Sequence, residues 1–171
     1  MSAAAGLDFA ADQSFSGLET SMHRRSLLLA AAALPLANLP ALAAAQETIR
    51  IMKSPSCGCC TAWADRLAAA GMETEVREVA DDQLWQMKEH LGITGDLASC
   101  HTALAGAYVI EGHVPAEDIQ RLLAERPDAL GLTVPGMPLG SPGMEMGDAR
   151  EAFDTLLIKA DGSTEVFASH S

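Results

Sequence analysis

Apolar positions along the chain recur with a period that switches repeatedly between two and about 3.6, the pattern of strands interleaved with helices. Residues 48–53 set Ile49 and Ile51 on one side of an extended segment and read as a strand. Ser54-Pro55-Ser56 breaks it and offers a hydroxyl cap to a helix over 59–70. There Cys60, Trp63, Ala64 and Leu67 form one stripe, Asp65 and Arg66 lie opposite, and Gly71 stops the helix. Residues 73–79 read as a second strand, with Val76 and Val79 as its main apolar content. Asp81-Asp82 caps a second helix that reaches about Leu91, with Leu84, Met87 and Leu91 at helical spacing. Residues 92–99 read as a loop, Cys100-His101-Thr102 leads into a run of small residues, and 107–110 read as a third strand. Pro115 suits the first turn of a third helix over 116–125, whose Ile119, Leu122 and Leu123 face the core. Residues 131–147 hold Pro135, Pro138 and Pro142 among five glycines and read as a loop. Residues 155–159 and 164–168 flank Asp161-Gly162 and read as a hairpin.

The order is strand, helix, strand, helix, strand, helix, hairpin. It opens with a β-α-β unit that carries cysteines at the first strand-helix junction, which is the plan of a thioredoxin-like domain. The predicted fold class is therefore α/β, a thioredoxin-like domain with a C-terminal Gly/Pro/Met-rich loop and hairpin extension from about residue 131. No internal repeat is present.

Residues 1–45 read as leader rather than fold. His23-Arg24-Arg25 precedes an apolar run from Leu27 to Leu42, and Ala43-Ala44-Ala45 supplies a small-residue cleavage pattern. Met22 gives the more ordinary start, and residues before it read as an upstream misread. Arg24-Arg25 ahead of Ser26-Leu27-Leu28 is also compatible with twin-arginine export, although the full motif is absent. The run is short and broken by Pro35 and Pro40, so no membrane span is expected after cleavage. The expected product is an exported periplasmic domain over 46–171. The 171-residue chain carries a formal net charge of −12, and removing the leader leaves the domain strongly acidic. A nucleic-acid partner needs a basic face and is excluded on that ground.

All four cysteines fall in the mature region. Cys57-Gly58-Cys59-Cys60 places a C-x-x-C pair, Cys57 and Cys60, around a third thiol at a helix start. Helix amides and the macrodipole stabilise thiolates there. A dithiol catalyst needs one attacking and one resolving cysteine, and Cys59 invites wrong pairings. A soft-metal site gains from the extra sulfur, because thiolates select Cu(I), and crowded thiolates repel unless a cation neutralises them. A structural zinc ion usually takes its pairs from two separate knuckles, whereas sulfurs bridging several copper ions suit three ligands in four residues. The disulfide alternative closes a loop of about 40 residues from Cys60 to Cys100, worth roughly 4 kcal/mol. It leaves Cys57 and Cys59 to pair across one residue, an awkward ring.

His101 adjoins Cys100, and His113 follows the third strand, so both are candidate imidazole ligands. His170 is one residue from the C-terminus and is expected to be mobile unless a metal ties it down. His23 in the leader and His90 on the second helix receive no role. Met137 and Met144 alternate with Gly and Pro, so no helical or strand stripe accounts for them. They read either as thioethers of a Cu(I) lid or as apolar anchors of the loop.

Three segments together resemble the CopG-type copper-resistance family: Lys53-Ser54-Pro55-Ser56-Cys57-Gly58-Cys59-Cys60, Ala98-Ser99-Cys100-His101-Thr102 with Gly106 through Pro115, and the stretch from Val134 to Glu145. The likeness spans nearly all of the mature chain. It implies a thioredoxin-like domain whose C-terminal extension helps bind metal, with a thiolate-bridged cluster of copper ions at the C-x-C-C segment. By resemblance Cys57, Cys59, Cys60 and Cys100 supply thiolates, and His113, Met137 and Met144 match family positions. A role in interconverting Cu(I) and Cu(II) ahead of efflux follows as the family expectation.

The expected cofactor is therefore copper as Cu(I), several ions per chain, and the expected partners are copper ions and periplasmic efflux components, with the protein a monomer. No hydrolase or transferase signature is present. Two other readings stay open. One is a thiol-disulfide oxidoreductase with Cys57 as nucleophile and Cys60 as resolver; the other is a disulfide-stapled interaction domain.

Overall fold

A computed structural model of the chain describes residues 47–171. The leader, its start at Met22 and its cleavage after Ala45 lie outside the described residues. The elements are β1 (Ile49–Lys53), α1 (Gly58–Ala69), β2 (Thr74–Glu78), α2 (Asp81–His90), β3 (His101–Ala105), β4 (Tyr108–Gly112), α3 (Ala116–Glu125), β5 (Gly131–Val134), β6 (Phe153–Ile158) and β7 (Thr164–His170). The strands form one mixed sheet in the order β2-β1-β3-β4-β5-β6-β7. β1 runs parallel to β2 and β4 parallel to β5, and every other neighbouring pair is antiparallel.

Alternation along the strands sorts the core into two layers. Ile49, Ile51, Ala103, Ala105, Ile110, Leu132 and Val134 pack with Trp63, Ala64 and Leu67 of α1 and with Ile119 and Leu122 of α3. Ile93, Leu97, Val109 and Ile158 form a smaller apolar cluster. Trp63 is fully buried, and its indole N–H is satisfied by the Val114 carbonyl at 2.8 Å. Truncating such a side chain to alanine typically costs about 3–5 kcal/mol. The stripe expected on the first helix is the buried one: Cys60, Trp63, Ala64 and Leu67. No helix among the described residues is long and apolar enough to cross a membrane.

Several expectations need correction. Residues 131–134, expected as the start of a loop, form the four-residue strand β5, buried throughout. Its signal was a short apolar run against a glycine, and the glycine has a packing reason. A Cβ on Gly131 would overlap the Val109 carbonyl of β4, so only glycine lets the parallel pair close. β3 was missed because His101-Thr102-Ala103-Leu104-Ala105 is covered on both faces and shows no alternation. The hydroxyl cap on α1 is not made: Cys57 is the N-cap without a side-chain bond, and the Ser54 and Ser56 hydroxyls face each other at 3.1 Å. Asp81 and Asp82 sit inside the first turn of α2 behind the N-cap Ala80, where they act through the helix dipole. On α2 the buried residues are Leu84 and Lys88, with Met87 and Leu91 only half-buried. The hairpin strands extend to Phe153 and His170, with a register shift between Thr155 and Leu156.

Gly131→Ala is expected to destabilise the domain by at least ~2 kcal/mol through that backbone clash. Urea unfolding should show a lower midpoint with an unchanged slope; an unchanged midpoint would contradict the close β4–β5 approach.

Candidate metal centre

The topology brings three chain segments to one point. β1 pairs antiparallel with β3, setting Lys53 opposite His101. The turn that leads from β1 into α1 therefore lies beside the residue that precedes β3. Cys57 caps α1 and Cys59 and Cys60 occupy its first turn, while Cys100 stands just ahead of β3. Free amides of the first helical turn and the macrodipole give this end a positive potential.

All four sulfurs lie within 4.8 Å of one another. Cys57 and Cys60 are joined by a disulfide, and Cys59 and Cys100 are free. The Cys59 sulfur is 3.6 Å from that of Cys57 and 3.8 Å from that of Cys100. The Cys100 sulfur is 3.5 Å from that of Cys60. Neither pairing of the disulfide alternative drawn from the sequence, Cys60 with Cys100 or Cys57 with Cys59, is the one formed.

A second donor group shares Cys100. Cys100, His101 and His113 can each present one ligand atom within the same 4.8 Å limit. His113 Nε2 is 3.1 Å from the Cys100 sulfur, and Nδ1 is 2.8 Å from the Pro142 carbonyl. A carbonyl only accepts, so Nδ1 carries the proton and Nε2 turns its lone pair toward the sulfur. Burial lowers the His113 pKa, opposed by the Pro142 contact and by Glu145. His101 Nδ1 is 3.4 Å from the Cys100 sulfur. Its ring is fully buried, 4.3 Å from the Trp63 ring centroid and edge-on to His113 at 5.1 Å. Burial drives its pKa well below the ordinary value, helped by electrostatic interaction with the neighbouring His113 and Lys88 and opposed by the Gly112 backbone. Both imidazoles are thus held neutral, the ligating form. Burial pushes the Cys100 thiol up to about 12, reinforced by the charge of Cys59 and a hydrogen bond with it, against a lowering contact from Ser99.

The segment after β5 lies over this group. Gly143 has φ +87°, and a Cβ there would sit 2.7 Å from the Trp63 backbone nitrogen and 2.8 Å from the Cys59 carbonyl oxygen. Backbone thus rests directly on the first turns of α1, an approach only glycine permits. Glu145 fastens the same place, accepting from the Gly143 N–H at 2.8 Å and pairing with Arg66 at 3.0 Å. At the other end the Ser99 hydroxyl donates to the Gly136 carbonyl, and the Gly136 N–H donates to the Ala98 carbonyl at 3.1 Å. Met144 follows the first anchor and is half-buried; Met137 follows the second and is 52% exposed.

His170 is not brought to the sulfurs as part of either donor group. Its Nε2 lies 2.9 Å from Asp118 and 3.2 Å from the Thr155 hydroxyl, and its ring stacks on Phe153. These contacts hold the end of β7. Sequence reasoning missed Lys88, Thr102 and Glu111, which form a buried polar cluster behind Cys100. The available signal was a carboxylate inside the apolar run Tyr108-Val109-Ile110-Glu111.

Sulfur and neutral imidazole make a soft donor set that suits Cu(I) and zinc better than hard cations. Residues 97–144 match a family model described as "Protein of unknown function, DUF411". Two solved structures of copper resistance protein copG, in forms 1 and 2, are similar to the chain, each with a TM-score of 0.68. They are 39% and 38% identical to it, covering 73% of this chain and 98% of each of theirs. No match was found among curated proteins.

The thiolate, not the thiol, is the nucleophile, and a raised pKa leaves less thiolate at any given pH. In reduced, metal-free protein Cys100 is therefore expected to alkylate with iodoacetamide at pH 8 at least ~tenfold more slowly than an ordinary exposed cysteine. Its rate should keep climbing beyond pH 9. Peptide mapping of the alkylated sites checks this, and an ordinary rate at pH 8 would contradict the burial of Cys100.

Proposed function

Because the chain belongs to the family of CopG copper resistance proteins, we propose that it is a periplasmic copper-binding protein that holds Cu(I) on Cys57, Cys59, Cys60 and Cys100, with His113 as an imidazole ligand. The observation that carries this reading is the convergence of four sulfurs within 4.8 Å of one another, with the lone-pair-bearing Nε2 of His113 3.1 Å from one of them, that of Cys100. Sulfurs 3.5–3.8 Å apart, if all ionised, would repel by roughly 4 kcal/mol per pair at an effective dielectric of about 20. Thiophilic cations held by these residues would offset that repulsion, and the spacing would leave room for more than one ion to share the same sulfurs. The half-buried Met144 and the exposed Met137 offer thioethers from the overlying segment. His101 lies behind Cys100 as a further donor, and His170 is left out because Asp118 and Thr155 engage its Nε2.

The thioredoxin-like assignment rests on the β1-α1-β2 unit, the antiparallel β3-β4 pair and α3, with the loop and the β6-β7 hairpin as the C-terminal extension. Export through the leader, action as a monomer and delivery to periplasmic efflux components belong to the same proposal, as does interconversion of Cu(I) and Cu(II). The Cys57–Cys60 disulfide sets a condition on it. An external dithiol, itself oxidised to a disulfide, would supply the two electrons and two protons that open that bond to two thiols, and the four cysteines would release their protons on holding copper.

The disulfide itself favours a second reading, a thiol-disulfide oxidoreductase with Cys57 as nucleophile and Cys60 as resolver. Against it, the Cys59 sulfur stands 3.6 Å from that of Cys57 and the Cys100 sulfur 3.5 Å from that of Cys60, and both free thiols would divert the reaction.

Protein purified from the periplasm of copper-fed cells, analysed for copper against protein, is expected to carry more than a single ion per chain. Cys59→Ser should lower that number, and the disulfide form should take up markedly less copper than the reduced form. A metal-free product from copper-fed cells, together with disulfide reductase activity that survives Cys59→Ser, would replace the copper reading with the second one.

A further inference from the structure

A buried carboxylate grips the chain on both sides of Cys100. Glu111 on β4 is fully buried, and its Oε1 accepts from Lys88 Nζ at 2.5 Å and from the Ser99 backbone N–H at 2.7 Å. Its Oε2 accepts from the Thr102 hydroxyl at 2.7 Å. Lys88 on α2, also buried, donates to Thr102 Oγ1 at 2.8 Å and closes the ring. Thr102 and Glu111 are cross-strand partners in β3 and β4. The two residues between the gripped positions 99 and 102 are Cys100 and His101.

A buried ion pair is a poor way to gain stability, since an apolar pair of similar volume often does as well or better. What an apolar pair cannot do is accept from the Ser99 N–H and fix the backbone beside it. Nor can it hold Thr102 two residues beyond Cys100. Ser99 in turn bonds to Gly136, so the same anchor extends to the segment that bears Met137. We propose that Glu111 and Lys88 are positioning residues, a clamp that fixes the Cys100 thiolate and its neighbour His101 for the soft metal. This inference rests on the copper-binding reading of the site. Outer partners that orient metal ligands commonly change metal affinity by about 10–100-fold when removed.

The test compares two paired variants, because a single substitution leaves an uncompensated buried charge. Lys88→Met with Glu111→Leu removes the clamp without stranding a charge. Lys88→Met with Glu111→Gln restores it in neutral form, since the amide oxygen can accept from Ser99 N–H and the amide N–H can donate to Thr102 Oγ1. Cu(I) affinity is read by competition with a chromophoric Cu(I) chelator, and folding by thermal unfolding. The leucine variant is expected to stay folded and to lose about tenfold or more in affinity, with the glutamine variant close to the parent. In a Cys100→Ser background the leucine pair should cost much less, because the clamp acts chiefly through Cys100. Equal affinity in both paired variants, or an undiminished loss in the Cys100→Ser background, overturns the proposal. If the leucine variant does not fold, Thr102→Val, which keeps the ion pair, carries the same comparison with a smaller expected loss; an unchanged affinity there overturns it. If the parent binds no Cu(I), the copper reading fails on its own. The clamp is then judged by Cys100 alkylation in the reduced protein, which should be faster in the leucine variant than in the glutamine variant and is refuted by equal rates.

Discussion

Four sulfur atoms are confined within 4.8 Å at the positive end of one helix, and the rest of the fold is arranged around that crowding. Three of them come from four consecutive residues, so their closeness is local and costs little chain entropy. The fourth does not. Cys100 is about 40 residues away in sequence, and it arrives only because β3 runs antiparallel to β1 and begins where β1 ends. Trp63 fixes α1 against the sheet through its buried ring and its bond to Val114. That sets the height at which Cys59 and Cys60 face Cys100.

The surroundings of Cys100 select its form. Its thiol is reluctant to ionise when buried beside Cys59, and both nearby imidazoles are kept uncharged by burial. A site of this kind holds its protons until a cation replaces them, or passes into the Cys57–Cys60 disulfide. On the proposed copper reading, metal loading and sulfur oxidation would compete for the same two cysteines. The Gly143 segment, tied by Arg66, Glu145 and the His113–Pro142 bond, gives the centre a covering that depends on the imidazole it shields.

Much of this was legible in the sequence, because short-range patterns report local structure. The buried stripe of α1, the bounds of α3 and the hairpin around Asp161-Gly162 follow from period and turn chemistry alone. The cysteine spacing and the tie of Cys100 and His113 to it were readable too, the latter through family resemblance. What stayed hidden is what neighbouring strands decide. β3 and β5 are covered on both faces and lose their alternation. Lys88 and Glu111 look like ordinary surface charges until α2 is laid against β1 and β3, and then they become a buried pair. Which cysteines pair is likewise a matter of three-dimensional distance, not spacing in the chain. His170, expected to be mobile unless a metal tied it down, meets Asp118 on α3, 52 residues earlier, a contact no local pattern announces.

The central claim is that these sulfurs act together as ligands of one soft-metal centre. X-ray absorption at the copper edge of the reduced, copper-loaded protein tests it most directly. The account predicts a low-energy Cu(I) edge and a first shell dominated by sulfur, with sulfur scattering diminished when Cys100 is replaced by serine. A shell made of nitrogen and oxygen alone, unchanged by that replacement, would contradict it.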